Sequence, residues 1–193
     1  MLIPEEFKHT ELKDIRDPNF RKLLENYVKN MRSVYAQRMG LMIWGPPASG
    51  KGAAAAIIAK EARRRYKPGM FITIWELRES LVNKMLYTHG KTPMDRAKEV
   101  DMLVLDGLDD EDKTEKLFSL TDISRLVVSR AQKHKLTIIT SRLSPRELDG
   151  DPKFEKFWAA IQNYVEPIQA PDPTDAQEAR REQMRALLMG DDE

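Results

Sequence analysis

The sequence predicts an α/β fold: a five-stranded parallel sheet sandwiched by helices. Three observations predict it. Leu41-Met42-Ile43-Trp44 is an apolar run too short for a helix; it stops at the loop Gly45 to Gly52 and gives way to the helix-forming Ala53-Ala54-Ala55-Ala56-Ile57-Ile58-Ala59. Further short apolar runs alternate with segments of helical periodicity. Gly45, Asp106 and Ser141-Arg142 each stand at the end of such a run, where a parallel sheet places its ligands.

Taken in order, residues 1–16 read as irregular, with Ile3, Phe7, Leu12 and Ile15 as apolar anchors. Asp17-Pro18 reads as a cap followed by proline at the first helical position. The spacing of Phe20, Leu23, Leu24, Tyr27, Val28 and Met31 continues that amphipathic helix to about Tyr35. The helix after the loop runs to about Tyr66. Met70 to Trp75 is a strand, Glu76 to Tyr87 a helix, and Met94 to Glu99 a short helix. Val100 to Asp106 is a buried strand ending in an acid, followed by the acidic loop Gly107 to Glu115. Ser119 to Lys135 is a helix and Leu136 to Ser141 the fourth strand. A helix opens at Asp151 or Pro152, Tyr164 to Ile168 is an edge strand carrying Pro167, and a last helix runs from Thr174 to about Met189. The division expected is 1–38 as linker and amphipathic helix, 39–170 as nucleotide-binding core, and 171–193 as a C-terminal helix with an acidic tail.

Composition narrows the function classes. Across 193 residues the net charge is +1, so any nucleic-acid or membrane contact must come from a local patch. Cysteine is absent, which excludes disulfides and thiolate metal sites. No stretch has the ~18 apolar residues of a membrane span, and a cytoplasmic protein is expected. One basic cluster is Lys60, Arg63, Arg64, Arg65 and Lys67; a second gathers Lys84, Lys91, Arg96 and Lys98 around Gly90. Both suit a single-stranded DNA backbone, and both are also what solvated helix ends carry.

Gly45-Pro46-Pro47-Ala48-Ser49-Gly50-Lys51-Gly52 has the spacing G-x-x-x-x-G-K. In a strand–loop–helix context this is a phosphate cradle: glycines let successive N–H groups point inward, and the helix that opens at Ala53 adds its positive end. Lys51 is the cation aimed at the outer phosphates. The next residue is normally Ser or Thr, whose hydroxyl ligates magnesium, and here it is Gly52. Asp106, closing an apolar strand, is the expected metal-side carboxylate. An acid just after it usually orients the attacking water, and here Gly107 follows. ATP binding with weak hydrolysis is therefore expected.

The ordered set Ile3-Pro4-x-x-Phe7, the GPPxxGK loop, the Asp101-to-Asp106 strand, Ser129-Arg130 and Thr137-Ile138-Ile139-Thr140-Ser141 resembles the AAA+ domain of DnaC/DnaI-type helicase loaders and their IstB transposition relatives. The resemblance covers about residues 1–185. It implies a core that binds ATP and magnesium, assembles head-to-tail as a homo-oligomer or on its helicase, handles single-stranded DNA and serves a replicative helicase. Arg142 stands where the family has Asn, Arg130 is left as the interface arginine, and Arg180 or Arg181 as the nucleotide-sensing one. Residues 1–35 are expected to serve where familiar loaders carry a separate N-terminal domain. A compact form suits a phage or mobile-element replication protein. A second resemblance is to the adenylate kinase loop, which also has Gly after the lysine. It leaves a nucleoside monophosphate kinase as the alternative, although Asp109-Asp110 replaces the Pro-Arg that should follow Asp106-Gly107.

Overall fold

The apolar runs form five parallel strands in the computed structural model: β1 Gly40–Trp44, β2 Gly69–Thr73, β3 Met102–Asp106, β4 Leu136–Ser141 and β5 Val165–Gln169. Their spatial order is β2-β3-β4-β1-β5. The structure describes residues 3–65, 68–82, 90–109, 120–173 and 184–185. Register brings the functional ends level. Trp44 pairs with Ser141 on one side and Gln169 on the other, and Thr73 pairs with Asp106.

Side chains alternate across the sheet and divide the core into two layers. Leu41, Ile43, Val104 and Ile138 face one layer; Met42, Leu103, Leu105 and Ile139 face the other. In the first layer α3, Lys51–Arg65, lies against the sheet with α1, Pro18–Lys29, packed on it. Ala54, Ala55, Ala56, Ala59 and Ala62 are all buried, so these small side chains let α3 come close to its neighbours. The second layer holds α4 Ile74–Val82, α5 Pro93–Glu99, α6 Leu120–Gln132, α7 Pro145–Gly150 and α8 Glu155–Ile161.

The structure departs from the expected elements at several points, each with a local cause. The helix after Asp17 is two helices, α1 and α2 (Met31–Gln37), broken at Asn30, whose side-chain amide donates to Asn26 O at 2.9 Å. Asp17 itself caps α1, accepting from Phe20 N at 2.5 Å. Ile74 and Trp75 belong to α4, not to the second strand. Thr73 and Glu76 close a reciprocal box there, with Thr73 N donating to Glu76 Oε2 at 2.8 Å and Glu76 N to Thr73 Oγ1 at 3.0 Å. Helix α7 arises the same way: Ser144 and Glu147 cap each other with Pro145 at the first position. The 3-10 turns Glu5–Phe7 and Leu12–Asp14 replace an irregular start. Of the last expected helix, Met184 and Arg185 alone are described, and they are helical.

Arg130 is not the interface arginine that the resemblance implies. It ends α6, is 1% exposed, and lies where β3 and β4 begin, at the opposite end of the sheet from the loop. Its Nε donates to Thr137 Oγ1 at 3.0 Å, one Nη to Val100 O at 2.8 Å and to Ala97 O, and the other to Leu136 O at 2.6 Å. Burial holds its pKa down at about 10, against the pull of Tyr35 and Asp101, so it is charged at neutral pH. It clamps three chain segments rather than facing a partner. Replacing Arg130 by Met removes a buried donor shared by these acceptors and is expected to cost on the order of 3 kcal/mol of stability in urea unfolding. A loss under about 0.5 kcal/mol, the range of an inconsequential surface change, contradicts the clamp.

Candidate functional site

The loop starts from a pinned strand end. Gly45 N donates to Ser141 O at 3.1 Å, and Ala170 N donates to Trp44 O at 2.7 Å. Gly50 turns the chain into α3 with φ +82°, a conformation that glycine adopts without steric cost. Ala48 takes φ +63°, in the left-handed region that costs a non-glycine residue roughly 1 kcal/mol, the kind of backbone strain that clusters at ligand sites. Lys51 folds over the loop. Its Nζ donates to Gly45 O at 2.8 Å, Pro46 O at 2.6 Å and Ser49 Oγ at 3.3 Å. The result is a concave backbone loop at a helix start with an ammonium inside it, which is anion-binding chemistry.

The neighbouring strand ends face the same space. Thr140 Oγ1 donates to Asp106 Oδ1 at 2.6 Å and accepts from Gly107 N at 2.9 Å. Asp109 reaches back to β4: its carboxylate accepts from Arg142 N at 2.7 Å and from Arg142 Nε at 2.6 Å, and its carbonyl from the guanidinium at 3.0 Å. Lys51, Asp106, Thr140, Arg142 and Phe7 line one cavity of about 490 Å³. On the other side of the loop, Ile15, Phe20, Ala53, Pro171 and Pro173 line a second cavity of about 480 Å³. Each is within the size range of a small-ligand site.

The structure thus gathers Gly45, Pro46, Pro47, Ala48, Ser49, Gly50, Lys51, Gly52, Ala53, Asp106 and Arg142 at one end of the sheet. Arg130 is far from them, and Arg180 and Arg181 lie outside the described residues. Three residues of the basic clusters, Lys60, Arg64 and Lys91, are engaged within the chain. Lys60 Nζ donates to the carbonyls of Phe7 at 2.8 Å, Lys8 at 3.3 Å and Thr10; burial, then Arg64, lowers its pKa. Arg64 pairs with Glu61 at 2.6 Å and Lys91 with Glu99 at 2.5 Å. Arg63 is exposed; Lys67, Lys84 and the side chain of Arg65 lie outside the described residues.

Sequence reasoning named Thr140, Asp109 and Phe7 without giving them a place in the site. Thr140 carried a signal, as the polar residue near the end of a buried strand. Asp109 was masked by the acidic run around it. Phe7 sits some forty residues before the loop, and no local pattern connects it to position 52.

A magnesium ion, which the resemblance implies, would need ligands beside Asp106. A Cβ at position 52 would stand 2.9 Å from Phe7 Cζ, 3.1 Å from Phe7 Cε2 and 3.6 Å from Asp106 Oδ1. An aromatic edge therefore occupies the side of Asp106 where a hydroxyl ligand would enter. Among the described residues no group of three His, Cys, Asp or Glu side chains converges on a metal position. The residues present therefore offer a cation beside Asp106 no second protein ligand from position 52, and in that respect do not fit the implied metal.

A parallel sheet of this order, with a loop of G-x-x-x-x-G-K spacing after β1 and an acid-tipped β3, has the P-loop α/β architecture. Among solved structures the fold is shared with the DnaC helicase loader, at TM-score 0.71 and 20% identity over 86% of this chain and 99% of that one. It is shared with DnaI at TM-score 0.68 and 19% identity over 89% and 96%. AMPPCP-bound DnaA from Aquifex aeolicus matches at TM-score 0.68 and 15% identity over 96% of this chain but 57% of its own length. The chain also spans 54% of a DNA replication initiation factor of the same fold. No protein-family model and no curated protein sequence matches the chain. No helix among the described residues is long and apolar enough to cross a membrane.

Proposed function

We propose that this protein is a nucleotide-binding AAA+ protein of the helicase-loader type that acts in DNA replication, binding ATP and hydrolysing it slowly. The observation that carries the reading is the pair of cavities flanking one loop. The cavity between Ile15, Phe20, Pro171 and Pro173 offers apolar walls for a purine base, and the other holds Lys51 and Asp106. Loop amides and the start of α3 would take the phosphates, with Lys51 exchanging its bonds to Gly45 O and Pro46 O for phosphate oxygens. The shared fold of DnaC, DnaI and DnaA supports the replication context.

Slow hydrolysis follows from groups that are missing or already engaged. Gly52 has no hydroxyl and Gly107 no carboxylate. Arg142, where the loader family has an amide, is held by Asp109. Positioning and electrostatics are nearly all that a protein contributes to phosphoryl transfer, and losing one oriented group costs roughly 100- to 1000-fold. Single-stranded DNA is proposed as a second ligand. Arg63 is an exposed cation beyond the engaged pairs, and Trp75, 47% exposed at the start of α4, offers an aromatic face for a base. The helicase contact and self-assembly are proposed on the loader reading alone.

Two measurements test this. ATP titrated calorimetrically into wild type should bind, and Lys51→Ala should weaken it by about tenfold or more. Steady-state turnover should stay well below about one per second, the low end of ordinary enzymes; equal affinity in the variant, or faster turnover abolished by it, contradicts the reading. Co-sedimentation with the cognate replicative helicase should recover a complex that nucleotide strengthens or weakens. Absence of any complex, with and without ATP and single-stranded DNA, contradicts the loader role.

A further inference from the structure

We infer that Phe7 is a specificity-determining residue of the nucleotide site: it lines the phosphate cavity and takes the space of a side-chain metal ligand at position 52, so that nucleotide binds with little dependence on magnesium. This rests on the nucleotide reading above and goes beyond it. The ring edge of Phe7 and the Asp106 carboxylate bracket position 52, with 2.9 Å and 3.6 Å from an added Cβ. Any side chain there, and with it a hydroxyl ligand, must displace the ring.

The ring is held from several directions. Phe7 N donates to Pro4 O at 2.9 Å within the Glu5–Phe7 turn. Lys60 on α3 gathers the carbonyls of Phe7, Lys8 and Thr10, a fixed cation under the turn. The ring packs on Phe71 of β2, with centroids 6.1 Å apart at 47°, a favourable tilted pair. Phe7 also packs against the first core layer. Asp106 meanwhile accepts from Thr140 at 2.6 Å, which orients the carboxylate. A magnesium ion needs oxygen ligands in near-ideal octahedral geometry, and at position 52 a ring edge stands where a hydroxyl-bearing side chain would be. Loop amides and Lys51 need no metal to hold phosphate.

The test compares ADP affinity in magnesium with that in excess EDTA by calorimetry, for wild type, Phe7→Ala, Phe7→Leu and the pair Phe7→Ala with Gly52→Thr. Wild-type affinity should change by less than about threefold when magnesium is removed. The pair, which restores both room and hydroxyl, should gain a magnesium preference of about tenfold or more. Phe7→Leu keeps an apolar plug of smaller reach and should stay close to wild type, while unfolding midpoints show that the variants are folded. A wild-type magnesium preference of tenfold or more, or a folded pair that gains none, overturns the inference and leaves the nucleotide reading standing. Absence of ADP binding in both conditions for every variant overturns both.

Discussion

Two hydrogen bonds at the end of β1 set up the site: Gly45 N to Ser141 O and Ala170 N to Trp44 O. They hold the strand between β4 and β5 up to the residue where the loop leaves, so the turn through Ala48 and Gly50 begins from a fixed point. Under the proposed role, in which the loop aims backbone N–H groups at phosphate, its start has to be fixed. The buried run Leu41 to Ile43 holds the strand from both faces, and the alanine-rich α3 lets the helix start close to the sheet. Asp106, Thr140, Asp109 and Arg142 are then brought in by register, because every strand ends at the same edge.

The ends of β1, β3 and β4 were legible because each closes a buried apolar run with a polar residue or glycine, a pattern that needs no tertiary information. The same holds for the Asp17-Pro18 cap. What escaped were two capping boxes, Thr73 with Glu76 and Ser144 with Glu147, whose Ser/Thr-x-x-Glu signature is present in the sequence but competes with strand-like or loop-like neighbours. Ile74 and Trp75 are good strand formers, and the box overrides them. Arg130 misled for another reason: an arginine at a helix end reads as exposed, and nothing local shows that three chain segments will close over it.

The site residues divide along the same line. Gly45 to Ala53 and Asp106 follow from spacing and strand ends. The Asp109–Arg142 pair and the seat of Phe7 at Gly52 are tertiary facts between residues far apart in sequence. Gly52 reads in the sequence as a lost hydroxyl. In the structure it is a place already filled, by a ring carried on the N-terminal segment and fastened by Lys60. The N-terminal segment is therefore part of the wall of the site.

The central claim is that backbone amides of this one loop hold the phosphates, with the base on the Ile15–Phe20 side. Amide-resolved NMR during an ADP titration tests it most directly. The account predicts that the largest shifts fall on Gly50, Lys51, Gly52 and Ala53, with a second group at Ile15 and Phe20. Shifts concentrated elsewhere, with these amides unmoved at saturation, would contradict it.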